Sequence, residues 1–272
     1  MFNRLKLSLV PGLVAASMIA GPAFAQDGTV ELSETSNGGE TPAIDAAPAA
    51  SGGRYPAKYA ARPLTLSAMT LRAEGDILFP KFVDFGVALR VGAAFGITNE
   101  LEVGVTVLPL TLSPDAGFGD IPLYGRFAFL KGNFELGAQL GLTIPTSTDF
   151  GLEPGLVGAL HAGNGRLDFG VLLGLRFSDP LGKQLNIPLV GSWNFSDNFF
   201  GQIRTGIQLP DFDALNVPLG VGAFYTIAKG DVPMLDVGAT FDWPLYLNTA
   251  AADTLTFDVF TIGLSARFHM FL

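Results

Sequence analysis

Four arginines, Arg72, Arg90, Arg126 and Arg204, and four carboxylates, Glu102, Glu135, Asp168 and Asp236, lie in short stretches of the chain where apolar and polar residues alternate. In each stretch the apolar side chains hold one set of alternate positions and the charges the other, so all eight groups are expected on one inward face. Charges of both signs on such a face suit two tasks. They can line a passage and select ions, or they can pair with one another and with Tyr124, Gln139, Gln202 and Gln208 as a polar filling. Covalent chemistry needs a nucleophile or an activated water beside a base, most often His. The chain has two His, His161 and His269, and neither has a Ser or Asp at a recognisable motif spacing. Asp211 and Asp213, in PDFD, are a carboxylate pair in a segment that reads as a solvated loop. There is no Cys, no glycine-rich phosphate loop opening a helix and no Cys/His metal spacing. The reading is therefore no enzyme, no catalytic residue, no cofactor and no metal.

The elements that must position these charges are strands. From Pro63 onward twelve segments alternate with turn signals: 64–78, 85–97, 101–112, 121–130, 134–145, 152–162, 166–177, 185–195, 199–209, 216–227, 234–245 and 257–271. In LEVGVTVL, Leu101, Val103, Val105 and Val107 share one face. In RLDFGVLLGLRF, Leu167, Phe169, Val171, Leu173, Leu175 and Phe177 stand opposite Asp168, Gly170, Gly174 and Arg176. A period of two over eight or more residues is a strand signal. The connections alternate between tight turns, such as Thr98-Asn99-Glu100 and Gly163-Asn164-Gly165, and longer loops. Connections this short leave no room for parallel crossovers.

Composition says what those strands face. The chain is 49% hydrophobic and 15% charged, against about 25% charged in a typical soluble domain. Beyond residue 25 no apolar run is long enough for a spanning helix of about 20 residues. Strands that alternate lipid-facing and inward-facing residues resolve that combination. The fold class expected is all-β: a single antiparallel transmembrane β-barrel of about twelve strands, with ten or fourteen as alternatives, over residues 63–272. Phe95, Phe127, Phe129, Phe134, Phe169, Trp193, Phe195, Phe199 and Phe268 have lipid-face parity near the tight turns, as an aromatic girdle requires. Small inward residues, among them Gly92, Gly104, Gly137, Gly220 and Gly222, favour a narrow opening. Thirteen prolines follow residue 62, and eleven sit in or near the longer loops. Pairing should be interrupted at that rim, because proline cannot donate to a ladder.

Residues 1–25 read as a signal peptide, with basic Arg4 and Lys6, a short apolar run from Leu7 and Ala23-Phe24-Ala25 at the cleavage site. Removing them leaves 14 basic against 25 acidic residues, a formal net of about −11, which argues against nucleic acid as a partner. Residues 26–62 are rich in Gly, Ala, Pro, Ser and acid and are expected to be a disordered periplasmic segment, serving as a spacer, a tether or a plug in the lumen. The rim with longer loops carries Asp76, Asp84, Asp115, Asp120, Asp149, Glu153, Asp179, Asp211, Asp213 and Asp253 against Lys81 and Lys183. Acids at that mouth and arginines within predict opposite ion selectivity.

GITNELEVGV (96–105) and NFSDNFFGQIRTG (194–206) resemble the hairpins of bacterial outer-membrane β-barrel proteins, porin-like and transporter-like. FTIGLSARFHMFL (260–272) resembles their terminal insertion signal, with Phe260, Ile262, Leu264, Phe268, Met270 and Leu272 in alternation, departing from it in ending on Leu272 rather than an aromatic residue. The resemblance implies the cell outer membrane of a Gram-negative bacterium, with outer-membrane lipid and the barrel-assembly machinery, engaged through the last strand, as partners. With the small inward residues, that architecture suits a narrow passive pore or small-solute transporter, passing small solutes or ions, and inward parity makes Arg72, Arg90, Glu102, Arg126, Glu135, Asp168, Arg204 and Asp236 the pore-lining candidates. The alternative is a non-conducting structural or anchoring barrel with a lumen filled by side chains.

Overall fold

The computed structural model describes residues 55–81, 85–113, 116–146, 148–249 and 257–272, with only the backbone of Val107. Residues 1–25 and most of 26–62 lie outside the described residues. Thirteen strands follow in chain order: β1 (Thr70–Lys81), β2 (Val87–Gly96), β3 (Leu101–Ser113), β4 (Gly117–Phe118), β5 (Ile121–Leu130), β6 (Phe134–Ile144), β7 (Gly151–Ala162), β8 (Gly165–Arg176), β9 (Gly182–Asn194), β10 (Phe199–Pro210), β11 (Asn216–Lys229), β12 (Val232–Asn248) and β13 (Phe260–Phe271).

Every pairing is antiparallel. β1 pairs with β2 on one side and with β13 on the other, from Thr70↔Phe271 to Lys81↔Phe260, so the sheet closes on itself. The two-residue β4 pairs only with β3, at Leu110↔Phe118 and Thr111↔Gly117. The ring is thus twelve long strands of 10–17 residues, enough for the ~9–11 that a tilted strand needs to span a bilayer. Among the described residues no helix is long and apolar enough to cross a membrane. Closure gives every wall strand two partners, which is what an apolar surround demands of backbone polar groups.

The strand boundaries depart furthest from the sequence reading at the first segment. The first segment, expected at 64–78, enters the wall only at Thr70. Leu64 and Leu66 alternate like strand residues, yet they belong with 55–63 to a segment inside the lumen. Their backbone groups are held by side chains of the wall instead of by a ladder.

The outer face is apolar. Leu156, Ile203, Val221 and Leu264 are exposed on it at mid-strand. Phe127, Phe129, Phe134, Trp193, Phe199 and Phe268 are exposed next to the tight turns, with Phe134 against Phe169 at 5.4 Å and Phe195 against Phe199 at 5.6 Å. Phe118, Phe150, Phe177, Phe212 and Phe257 are exposed at the opposite end. Two aromatic belts bracket an apolar band. Prolines interrupt pairing at some of the expected places, while Pro80, Pro188 and Pro210 stay in register with Thr261, Gly206 and Gln184. The β3–β5 ladder runs from Leu101↔Phe127 to Val105↔Leu123 and stops before Pro122, and the β11–β12 register shifts across Pro218.

Candidate functional site in the lumen

The tight-turn end of the barrel is filled by residues 55–69. A single 3-10 turn, Tyr59–Ala61, is followed by an extended run that reverses into β1 at Met69, whose φ of 57° lies in the left-handed region. A buried segment must have its backbone groups satisfied, and here the wall's side chains do it. Ala60 N–H donates to Asn194 Oδ1 at 2.8 Å, and His161 Nδ1 lies 2.7 Å from the Ala60 carbonyl. Leu64 N–H donates to Glu135, and Leu66 N–H to Glu102 at 2.7 Å. Arg166 donates to the Arg62 carbonyl while paired to Asp168. Arg126 donates to the Leu64 carbonyl at 3.0 Å, with two further bonds to Gln139.

Arg62 anchors the segment. Its guanidinium meets Asp236 through Nη1 at 2.5 Å and Nη2 at 2.8 Å, and reaches back to the carbonyls of Pro56 and Ala57. Asp236 also accepts from Thr226 at 2.7 Å and lies 3.0 Å from His269 Nε2. Two-pronged pairing of this kind is the strong form of a charge-assisted bond. Aromatic rings complete the seal. Tyr59 stacks on Phe200 at 4.3 Å and Phe200 on Phe224 at 5.1 Å, while Arg62 and Arg166 sit over the Tyr59 ring.

Residues 55–62, within the stretch expected to be disordered, are therefore packed inside the barrel, with Tyr55, Ala60 and Arg62 all buried. Low complexity upstream hid them, and the wall supplies the burial that the segment lacks by itself.

Above this plug lies a cavity of about 330 Å³. Seven arginines (62, 72, 90, 126, 166, 204 and 267) line it against five carboxylates (Glu74, Asp76, Glu102, Asp168 and Asp242). Arg90 pairs with Asp76 at 2.8 Å and Arg204 with Asp242 at 2.8 Å. Arg72 and Arg267 share Glu74, at 3.5 and 3.9 Å. Arg126 has the amide of Gln139 and a carbonyl as its partners.

All eight sequence-derived candidates lie on the lumen side, in two tiers. Glu102, Glu135 and Asp236 bind the plug directly and Asp168 does so through Arg166. Arg126 bridges plug and cavity, while Arg72, Arg90 and Arg204 line the cavity. Asp76, read as an outer-rim acid, points inward to Arg90 and Ser265. Among the rim acids, Asp120 accepts from the backbone of Thr146 and the hydroxyl of Thr148, and Asp211 from the backbone of Lys183. The inward glycines do not leave empty space. A Cβ at Gly222 or Gly238 would stand 2.7 or 2.2 Å from the inward Phe224 ring, and one at Gly220 would stand 2.0 Å from Asp242. They make room for bulky inward neighbours. Sequence reasoning missed Arg62, Tyr59, Phe200, Phe224, Arg166, Arg267 and Asp242. Strand parity places the five of these other than Arg62 and Tyr59 inward, whereas those two carried no periodic signal.

No protein-family model and no curated protein sequence matches the chain. Solved structures match its fold. The NanC porin aligns with a TM-score of 0.57 at 9% identity, covering 73% of this chain and 98% of that one. A KdgM porin in complex with disordered oligogalacturonate aligns with a TM-score of 0.53 at 8% identity, covering 73% and 98%. An outer-membrane channel from Pseudomonas putida F1 aligns with a TM-score of 0.52 at 12% identity, covering 80% and 99%. A ring of twelve antiparallel strands, apolar without and charged within, thus has architectural counterparts, and the chain has the fold of the porin-like bacterial outer-membrane β-barrels.

Proposed function

We propose that the chain is an outer-membrane pore or transporter for small anionic solutes, exported by residues 1–25 and inserted into outer-membrane lipid by the barrel-assembly machinery through its last strand. One observation carries the reading: the lumen holds a cavity of about 330 Å³ in which seven arginines face five carboxylates. Asp236, behind the lining, neutralises Arg62, so six arginines stand against five carboxylates. The excess positive charge is concentrated where one carboxylate, Glu74, serves both Arg72 and Arg267, and where the hydrogen-bond partners of Arg126 are neutral. A confined positive field inside low-dielectric walls attracts anions. No catalytic role is assigned to His161 or His269, which serve the plug and Asp236.

A second reading, a non-conducting anchoring barrel, is favoured by the plug that fills the tight-turn end. Planar-bilayer recording on the purified, folded protein under a KCl gradient separates the two. Discrete conductance steps reversing toward the chloride potential support the anion pore. Reversal toward the potassium potential overturns its selectivity. Persistent silence, also from a variant with the plug released, leaves the anchoring barrel.

A further inference from the structure

The bonds that seat residues 55–69 differ in kind from those that build the wall. Wall strands hold one another through backbone ladders along their length. The plug joins no ladder. Its backbone-to-backbone bonds to the wall include Ala57 N–H to the Asp231 carbonyl and Met69 N–H to the Gly96 carbonyl, both 2.8 Å. Elsewhere it is held by side chains: Asn194, His161, Arg166, Glu135, Arg126, Glu102 and Asn99 along its backbone, and Asp236 on Arg62. Those wall groups are mostly charged, and water in a lumen can replace the plug as their partner. Departure of the plug therefore strands no polar group in hydrocarbon, whereas departure of any wall strand would.

The join to the wall is compact. Thr70 N–H closes a turn onto the Ser67 carbonyl at 3.1 Å, and the Met69 carbonyl accepts from Leu272 N–H at 2.9 Å, so Met69 is tied to β2 and to the residue that follows β13, while the segment before it, apart from Ala57, rests on side chains. The seat also depends on one missing side chain. A Cβ at Gly96 would stand 2.2 Å from the Ser67 carbonyl oxygen and 2.8 Å from that of Leu66.

We infer that residues 55–69 are a displaceable plug, latched by Arg62 on Asp236 and seated against Gly96, that swings out of the lumen about the Ser67–Thr70 turn and opens the tight-turn end of the barrel. The motion stands on the geometry of the seat; its consequence for passage rests on the pore reading proposed above.

The chain has no Cys, so Leu66→Cys, at a position 1% exposed, gives a single thiol that reports plug release by its rate of maleimide labelling. The full mature protein is folded into liposomes, and labelling is compared with the rate of barrel unfolding read from heat-modifiable gel migration. Labelling of the folded barrel faster than it unfolds, accelerated about tenfold or more by Arg62→Ala and by Gly96→Val, supports the inference. Arg62→Ala alters the plug and leaves every wall side chain in place, so it keeps the test valid where Gly96→Val fails to fold. Labelling no faster than unfolding, and unmoved by Arg62→Ala, overturns it. Accelerated labelling with silent bilayers upholds the plug's motion and removes the pore.

Discussion

Arg62 and Asp236 stand 174 positions apart in the chain and meet in a two-pronged ion pair inside the lumen, with side chains 2% and 0% exposed. This contact joins the segment before the first strand to the last wall strand but one. It also makes the plug's seating a question about a single buried charge pair. Breaking such a pair from one side costs about 3–5 kcal/mol, because the remaining charge stays buried and unmatched. Here the plug can leave instead, so the cost is expected as release. In a double-mutant cycle read from maleimide labelling in the Leu66→Cys background, Arg62→Ala and Asp236→Ala should each raise the rate. Together they should raise it by much less than the product of their separate effects. Multiplicative effects would show that the two residues act on different structures.

The glycines of the wall give a second prediction. A methyl at Gly238 meets the Phe224 ring at 2.2 Å and the Ala223 carbonyl at 2.6 Å, and Phe224 is buried and stacked on Phe200. Gly238→Ala should lower the unfolding free energy by about 1–3 kcal/mol, the usual cost of overpacking. Gly191, whose Cβ would have nothing within 4 Å, should accept alanine with a change within about 0.5 kcal/mol. Urea midpoints in the same lipid or detergent test both. Equal effects would mean that the inward ring is not held as described.

Much of this architecture is legible in the sequence because a strand's period of two forces each residue to one face. The ends of β5, Ile121 and Leu130, coincide with those read from periodicity, and Arg72, Glu102 and Asp236 fall inward by parity alone. The plug was not legible in the same way. Leu64 and Leu66 carry the alternation of a strand because both are buried inside the barrel, Leu64 with Ala128, Val157 and Leu172 and Leu66 with Ala94 and Tyr55, and no local pattern distinguishes that from pairing. Arg62 sits in a stretch with the composition of a disordered tail, and only the carboxylate brought to it by β12 makes it an anchor. The glycines misled for a related reason. A small inward residue signals space, but its sequence does not say that the next strand's ring fills it.

The apolar exterior predicts a third result. Ile203 is 59% exposed at the middle of β10, between inward Gln202 and Arg204. If that face meets lipid tails, Ile203→Arg should destabilise folding into bilayers by about 2–4 kcal/mol, the cost of a cationic side chain near the membrane midplane. Reversible urea titration in short-chain phosphatidylcholine measures this. A change near zero would place Ile203 in water and remove the basis for a spanning barrel.

The last prediction concerns the sign of the field above the plug. Glu74 is the carboxylate near both Arg72, at 3.5 Å, and Arg267, at 3.9 Å. Glu74→Gln removes that negative charge and leaves both guanidinium groups facing the cavity. Arg126→Gln removes a cation whose hydrogen-bond partners are the Gln139 amide and the Leu64 carbonyl. Both substitutions leave the lipid-facing residues untouched, so their effects should be read in the lumen. In an Arg62→Ala background, chosen to release the plug, Glu74→Gln should move the reversal potential in a KCl gradient toward that of chloride. Arg126→Gln should move it the other way. Opposite shifts follow from a lumen field that selects by charge. A shift of Glu74→Gln toward potassium would mean that the acids of the outer mouth, and not these arginines, govern which ion passes.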